Sequence, residues 1–329
     1  MNKFTTLLLS AVLTAVLFLS AGCQRKDLLE PHPGAHHNLI IQASFDSLAL
    51  SQLLSINSEG YSNPGEPKTT KCIIFEKTTQ NIAYKGTFKG LEGGTYLQEG
   101  IYDLLLYTSD FHEYDANFYR GLDKLGTAET YTRQKQIDEA SARNNITEMY
   151  MVEPDPTFAI YKPDIIVLGA DDKNVLELEF VQKSFKYYLT IHCKGLQNIH
   201  TAKMNISGMY TSAFLTSDDH RMDEAGIQSV DMDITRYDPT DKIGEGEIYG
   251  EFWSFGPNQN EIIQNSITLY FINGDVITMK LKDLTSQIKT LTRGGEIVVE
   301  EYLEIKGPPG GFNPGVGDWD DPTDVEIQI

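Results

Sequence analysis

The sequence predicts an all-β protein built as two tandem β-sandwiches, and three observations carry this. Short runs of alternating apolar and polar residues recur along the chain, bounded by Gly, Asn, Asp and Pro, as half-buried strands joined by turns require. The 329 residues suffice for two domains, each burying its own core. Finally, Phe180–Tyr210 reads as two strands joined by a turn at Gly195-Leu196-Gln197-Asn198. Tyr188, Ile191 and Cys193 sit among polar neighbours on the first strand, and Ala202, Met204 and Ile206 alternate on the second. An extended run, Val175–Phe180, leads in, so one β-domain ends here and another begins. The expected organisation is a leader over 1–22, a tether over 23–38 that begins at Cys23, sandwiches over 39–178 and 179–306, and a tail over 307–329.

In chain order, Met1-Asn2-Lys3 supplies a positive start and Phe4 to Ser20 an apolar, small-residue run. This is the pattern of a secretory signal, and no apolar run of membrane length follows it. The close of the run, Leu19-Ser20-Ala21-Gly22-Cys23, resembles a bacterial lipobox, with the Leu one place earlier than usual. That resemblance implies that Cys23 becomes the mature N-terminus and carries acyl chains. Each buried CH₂ contributes about 0.8 kcal/mol, so several chains hold a protein stably on a membrane. Gln24–Asn38 holds two prolines and a glycine and reads as a tether. His32, His36 and His37 cluster in it, but a metal site needs oriented partners that a tether lacks.

Leu39–Ala43 is the first strand, with Leu39, Ile41 and Ala43 on one face. Ser44–Ser58 is ambiguous between helix and strand, and Ser62–Pro67 is loop. Cys72–Phe75, Ile82–Phe88, Leu91–Leu97 and Ile101–Thr108 are strands, the last being the strongest in this half. Gly90, Gly93 and Gly94 have the wrong spacing for a phosphate loop and serve turns. A short helix is expected near Tyr131–Arg143 within a polar stretch. Tyr150–Val152 and Phe158–Tyr161 flank Glu153-Pro154-Asp155-Pro156. Ile165–Leu168 follows, then a hairpin-like turn over Gly169–Asn174.

In the second half Ser212–Leu215, Ser229–Ile234 and Ile248–Phe255 are strands, and an acidic loop follows the first. Ile262–Ile272 and Val276–Leu281 form a hairpin around Asn273-Gly274-Asp275, the clearest turn signal in the chain. Leu284–Leu291 is a helical turn or two, and Ile297–Ile305 closes the domain. Beyond Gly307-Pro308-Pro309-Gly310-Gly311 the tail ends in Val325-Glu326-Ile327-Gln328-Ile329. Its Val325, Ile327 and Ile329 share one face. This is a spare strand that either folds back on its own sheet or fills an edge or groove on a neighbour.

The formal net charge of −20 repels nucleic acid and anionic headgroups and suits an exported soluble domain. Three cysteines are too few for a disulfide framework, and Cys72 and Cys193 are expected to be buried and reduced. The sequence carries no G-x-S-x-G, H-E-x-x-H, C-x-x-C or Walker pattern, so no catalytic residue and no cofactor are assigned. Asp318, Asp320, Asp321 and Asp324 lack the Gly and Glu of a calcium loop. Trp253 is expected in a core rather than as a sugar platform. Asn145-Ile146-Thr147 and Asn205-Ile206-Ser207 match the N-glycosylation pattern, which a bacterial lipoprotein would not normally use.

Several local patterns resemble the fimbrillin-type surface lipoproteins of Bacteroidales, and span nearly the whole mature chain in that family's order. They are Cys23-Gln24-Arg25-Lys26-Asp27-Leu28, Gly100–Thr108, Glu153–Phe158, Lys194–Asn198 with Ile206–Met209, Phe255-Gly256 before Leu269–Phe271, and the Gly/Pro-Asp-Trp tail. The first is similar to the start of a branch labelled a domain of unknown function. The resemblance implies two transthyretin-like sandwiches, export as an outer-membrane surface lipoprotein, and a non-enzymatic role in a fimbrium. It implies fimbrial subunits as partners by β-strand addition, and host or bacterial surface ligands beside them. In polymerising relatives an Arg- or Lys-specific protease removes the first strand and a neighbour's strand fills the groove.

This sequence departs from that pattern in having no Arg or Lys between Lys26 and Lys68. A cut just after the first strand has no site, so the chain is expected to keep Leu39, Ile41 and Ala43 and to act as an anchor or accessory subunit. The alternative is a monomeric surface glycan-binding lipoprotein, which would need an exposed row of aromatic residues.

Overall fold

The computed structural model describes residues 37–46, 67–109, 117–136, 149–169, 173–221, 224–238, 240 and 244–305. The first half builds β1 (Leu39–Phe45), β2 (Thr69–Glu76), β3 (Ile82–Lys89), β4 (Glu92–Thr95) and β5 (Gly100–Ser109). These coincide with the expected apolar runs, because alternation with Val, Ile, Leu and Tyr fits a half-buried pleat. They are completed by β10 (Phe158–Val167) and β11 (Asn174–Gln182). One layer has the order β3-β2-β5-β10 and the other β11-β1-β4. They meet at one corner, where Phe158 and Ala159 pair with Gln182 and Val181. Leu39, Ile41, Ile74, Leu104, Leu106, Ile160 and Phe180 fill the space between the layers.

Two strands expected around Pro163 are one. β10 continues through it with a register shift between Lys162 and Ile165. Pro lacks the N–H that a regular ladder needs, so the strand bulges there. Asp164 takes a positive φ of 59°. Its N–H donates to Asp103 at 3.1 Å, and Lys77 lies 3.0 Å from both carboxylates. The hairpin expected before Val175 is also corrected. β10 and β11 pair only at the end far from their connection, because β10 otherwise follows β5 and β11 follows β1.

The second half builds β12 (Phe185–Lys194), β13 (Ile199–Tyr210), β14 (Ser212–Phe214), β15 (Ala225–Arg236) and β16 (Gly246–Ser254). Then come β17 (Asn265–Phe271), β18 (Val276–Lys280), a six-residue helix α1 (Thr285–Thr290) and β19 (Gly295–Glu304). Layers β18-β17-β13-β15 and β16-β12-β19 enclose a second core of Leu189, Ile191, Met204, Ile206, Ile267 and Ile297. β15 and β16 pair at a corner from Asp233 to Arg236. In both sandwiches the first and last strands lie side by side and parallel, β1 with β11 and β12 with β19.

The opening pair of this half is an arch, not a hairpin. β12 pairs with β16 and β19, whereas β13 pairs with β15 and β17. Gly195, at φ 92°, and a single turn of tight helix over Leu196–Asn198 carry the chain across the sandwich. Tyr187, Leu189, Ile191 and Cys193 therefore face Ala202, Met204 and Ile206 through one core, and Tyr188 turns to the other side.

The helix expected near Tyr131–Arg143 is replaced over its described part by strands. β6 (Asn117–Arg120) and β7 (Glu129–Thr132) join β14 in a small sheet, and β8 (Gln134–Gln136) pairs with β9 (Met149–Met151). β9 adds parallel to β15, so first-half residues extend a second-half sheet. Thr130 and Thr132 are β-branched and buried, which suits a strand better than a helix. Beneath the small sheet lie Ile73, Phe75, Leu105, Tyr107, Leu125 and Leu215. β11 runs on to Gln182, so the expected boundary after residue 178 falls inside a strand, and Lys183-Ser184 is the connection.

Candidate functional site

The site follows from where β1 lies. It runs down the middle of its layer, parallel to β11 from Leu39↔Asn174 to Phe45↔Phe180 and antiparallel to β4 from Leu39↔Thr95 to Gln42↔Glu92. Both of its edges therefore carry ladder hydrogen bonds. Leu39 and Ile41 are fully buried, and Ala43 is half-buried against the same core. Gln42 and Ser44 face outward. Phe45 ends the row with its ring 4.9 Å from Phe158 and 5.2 Å from Phe180.

The strand is clamped where it begins. The Asn38 side-chain amide donates to the Leu97 carbonyl at 2.8 Å and accepts the Leu97 N–H at 2.9 Å. The Asn38 carbonyl accepts the Asn174 N–H at 2.8 Å. Asn38 is 1% exposed, so it belongs to the sandwich rather than to the tether in which the sequence placed it. The signal was available, an amide residue directly before an apolar run, but its partner lies 59 positions away. Phe45 was missed too, in the stretch left ambiguous.

Chemically this is a slot for one extended chain. A strand within it satisfies backbone groups on both sides while alternate side chains fill pockets facing the core. Leu39, Ile41 and Ala43 lie together in this slot. Cys23 and the tail residues Val325, Ile327 and Ile329 lie outside the described residues.

A second cluster ties the halves together. The Glu129 carboxylate is fully buried in β7 and accepts from Arg120 Nε and from Arg221 Nε, the latter at 2.9 Å. Arg120 Nη2 also donates to Glu224 at 2.7 Å. Burial would raise the Glu129 pKa, but the two guanidinium groups outweigh it and hold the carboxyl below its usual range. Trp253, carried by β16, is buried in the core of the first sandwich, and its backbone N–H donates to Glu153 Oε1 at 2.8 Å. Its expected place in a core is thereby met.

Two cavities of about 400 and 530 Å³ flank Lys183 at the junction. Lys183 donates to the Ser217 carbonyl at 2.7 Å and to Asp218 at 3.2 Å, and Asp218 also lies 3.6 Å from Arg293. The larger cavity is floored by Phe255 and by Tyr210, whose ring stacks on His220 at 4.2 Å. Burial lowers the His220 pKa. Cys72 and Cys193 are buried and unbridged, and burial pushes the Cys193 thiol up to about 12. Among the described residues no group of three or more His, Cys, Asp or Glu could hold a metal ion. The exposed aromatics there are Tyr96 after β4, Tyr161 in β10 and Tyr237 after β15.

The fold and the slot define a tandem β-sandwich protein whose N-terminal strand sits in the middle of a layer. The chain belongs to the family of the domain of unknown function DUF5119, whose model matches residues 22–230. A comparison with curated proteins finds no match. Among solved structures, a proposed adhesin from Bacteroides ovatus is similar with a TM-score of 0.55 and 16% identity, over 88% of this chain and 98% of that one. The fimbrial anchor protein Mfa2 of Porphyromonas gingivalis aligns with a TM-score of 0.43 and 11% identity, over 81% of this chain and 89% of that one. At these identities the likeness to the Bacteroides protein concerns the fold.

Proposed function

We propose that the protein is a non-enzymatic anchor or accessory subunit of a cell-surface fimbrium, held to the outer membrane by acyl chains on Cys23. The observation that carries this is the seat of β1, paired on both edges with Leu39 and Ile41 fully buried, in a chain with no Arg or Lys between Lys26 and Lys68. A subunit that keeps this strand has its own slot filled and cannot take a donor strand from a neighbour. It offers a strand instead, and the Val325–Ile329 segment has the alternation that such a strand needs. The fimbrillin-like motifs and the fold shared with the Bacteroides adhesin support the same reading.

Deleting the gene in its native cell tests it. The expected result is fimbriae released into the medium or altered in length or composition. Fimbriae unchanged in attachment, length and composition would contradict the role.

A further inference from the structure

One pole of the first sandwich collects exposed apolar side chains. Ile82 opens β3, Tyr96 follows the last residue of β4, Ile101 is second in β5, Ile166 and Leu168 lie at the end of β10, and Val175 is second in β11. These are six of the twelve large apolar side chains exposed among the described residues. The registers place them at a common end. Ile101 pairs with Ile166, Phe75 with both Ile82 and Asp103, Val175 with Ile40, and Thr95 with Leu39. The opposite end of β11, at Gln182, leads through Lys183-Ser184 into the second sandwich. Ile101 and Ile166 are side by side with exposures of 48% and 61%, which an isolated soluble surface does not need.

This pole is also where the chain enters the fold. Asn38 and Leu39 lie at it, and Cys23 is only fourteen residues before His37. Fourteen residues span at most about 50 Å when fully extended. A lipid on Cys23 therefore keeps this pole within about 50 Å of the bilayer, and the second sandwich is reached only through the first. The charged cluster nearby is net negative, one Lys77 lying 3.0 Å from both Asp103 and Asp164. The surface is thus suited to an uncharged or zwitterionic interface rather than to an anionic one.

We infer that this apolar pole docks on a lipid surface, with Ile82, Tyr96, Ile101, Ile166, Leu168 and Val175 entering the headgroup region. The inference rests on the proposed lipid attachment at Cys23. Docking orients the first sandwich upright and directs the second away from the membrane. Aliphatic side chains with an interfacial Tyr are the composition that such shallow insertion uses.

The test separates docking from lipidation by making the attachment chemically. The chain from Cys23 onward is coupled through the Cys23 thiol to a maleimide lipid in phosphatidylcholine vesicles. Cys72 and Cys193 are fully buried and do not compete. A Tyr96→Trp variant, with Trp319→Phe to remove the tail's indole, reports contact through quenching by brominated lipid. The expected result is strong quenching in the coupled protein, lost in an Ile101→Thr, Ile166→Thr variant that retains its circular dichroism and melting temperature. No quenching in the coupled protein would overturn the docking. So would equal shielding of the introduced indole from a water-soluble quencher with and without vesicles, which would mean that the chain covers its own pole. Failure of native cells to lipidate Cys23, read by incorporation of labelled fatty acid, would overturn the attachment and leave the vesicle result standing.

Discussion

Replacing Ile41 by Ala probes the seat of β1 directly. Ile41 is fully buried and flanked on both sides by paired strands. The backbone on either side is fixed by ladder hydrogen bonds, so the space left by the side chain cannot collapse. Large-to-small substitutions of this type cost about 2–5 kcal/mol, with the larger values where relaxation is blocked. A loss of about 3–4 kcal/mol follows, or roughly 10 °C in melting temperature for a domain of this size. Gln42→Ala, on the outward face of the same strand, is the control and should stay within about 0.5 kcal/mol. The assay is urea unfolding followed by Trp253 fluorescence in a Trp319→Phe background. Trp253 is buried in the core that Ile41 also fills, so it reports on that sandwich. Equal small losses for Ile41→Ala and Gln42→Ala would refute the claim that β1 is an integral strand.

Glu129→Gln should destabilise the protein by about 2 kcal/mol. This is less than the ~3–5 of a fully buried pair, because Arg120 and Arg221 are 39% and 38% exposed and regain water. The folded pKa of Glu129 lies below its ordinary 4.5, so its contribution is complete above that value and fades as the pH falls through the folded pKa. Melting temperatures at pH 7 and pH 3 should therefore differ less in Glu129→Gln than in the parent. Gly195→Ala should cost more than about 1 kcal/mol, since φ is 92° and a Cβ would lie 2.0 Å from the carbonyl oxygen of Ile305, the residue after β19. Chemical denaturation reads this loss. Cys72 and Cys193 should resist a water-soluble thiol reagent in the native state and both react on unfolding, as counted by mass spectrometry in a Cys23→Ala chain.

Strand positions were legible where an apolar run is bounded by turn or polar residues, as in β1, β5 and β19. The β17–β18 hairpin was legible in detail, because Asn273-Gly274-Asp275 demands a positive φ that Gly274 supplies at 91°. The arch at Gly195 was not legible. Alternation is the same whether two strands pair edge to edge or face each other across a core, so Leu189 and Met204 give no sign of which holds. The small sheet was missed because Glu129 and Thr130 look polar, and their pairing partners Phe214 and Ala213 lie more than eighty residues away. Of the site, Leu39, Ile41 and Ala43 could be read directly. The Asn38–Leu97 clamp and the Glu129–Arg221 pair could not, since they join residues 59 and 92 positions apart.

The central claim is that the surface form of this protein keeps β1. Intact mass and N-terminal sequencing of the protein recovered from the outer surface of its native cell test this most directly. The account predicts a chain that begins at an acylated Cys23 and includes Leu39–Phe45 in full. A mature N-terminus beyond Ala43, with the lipid gone, would contradict it and mark a subunit whose slot has been opened for a neighbour's strand.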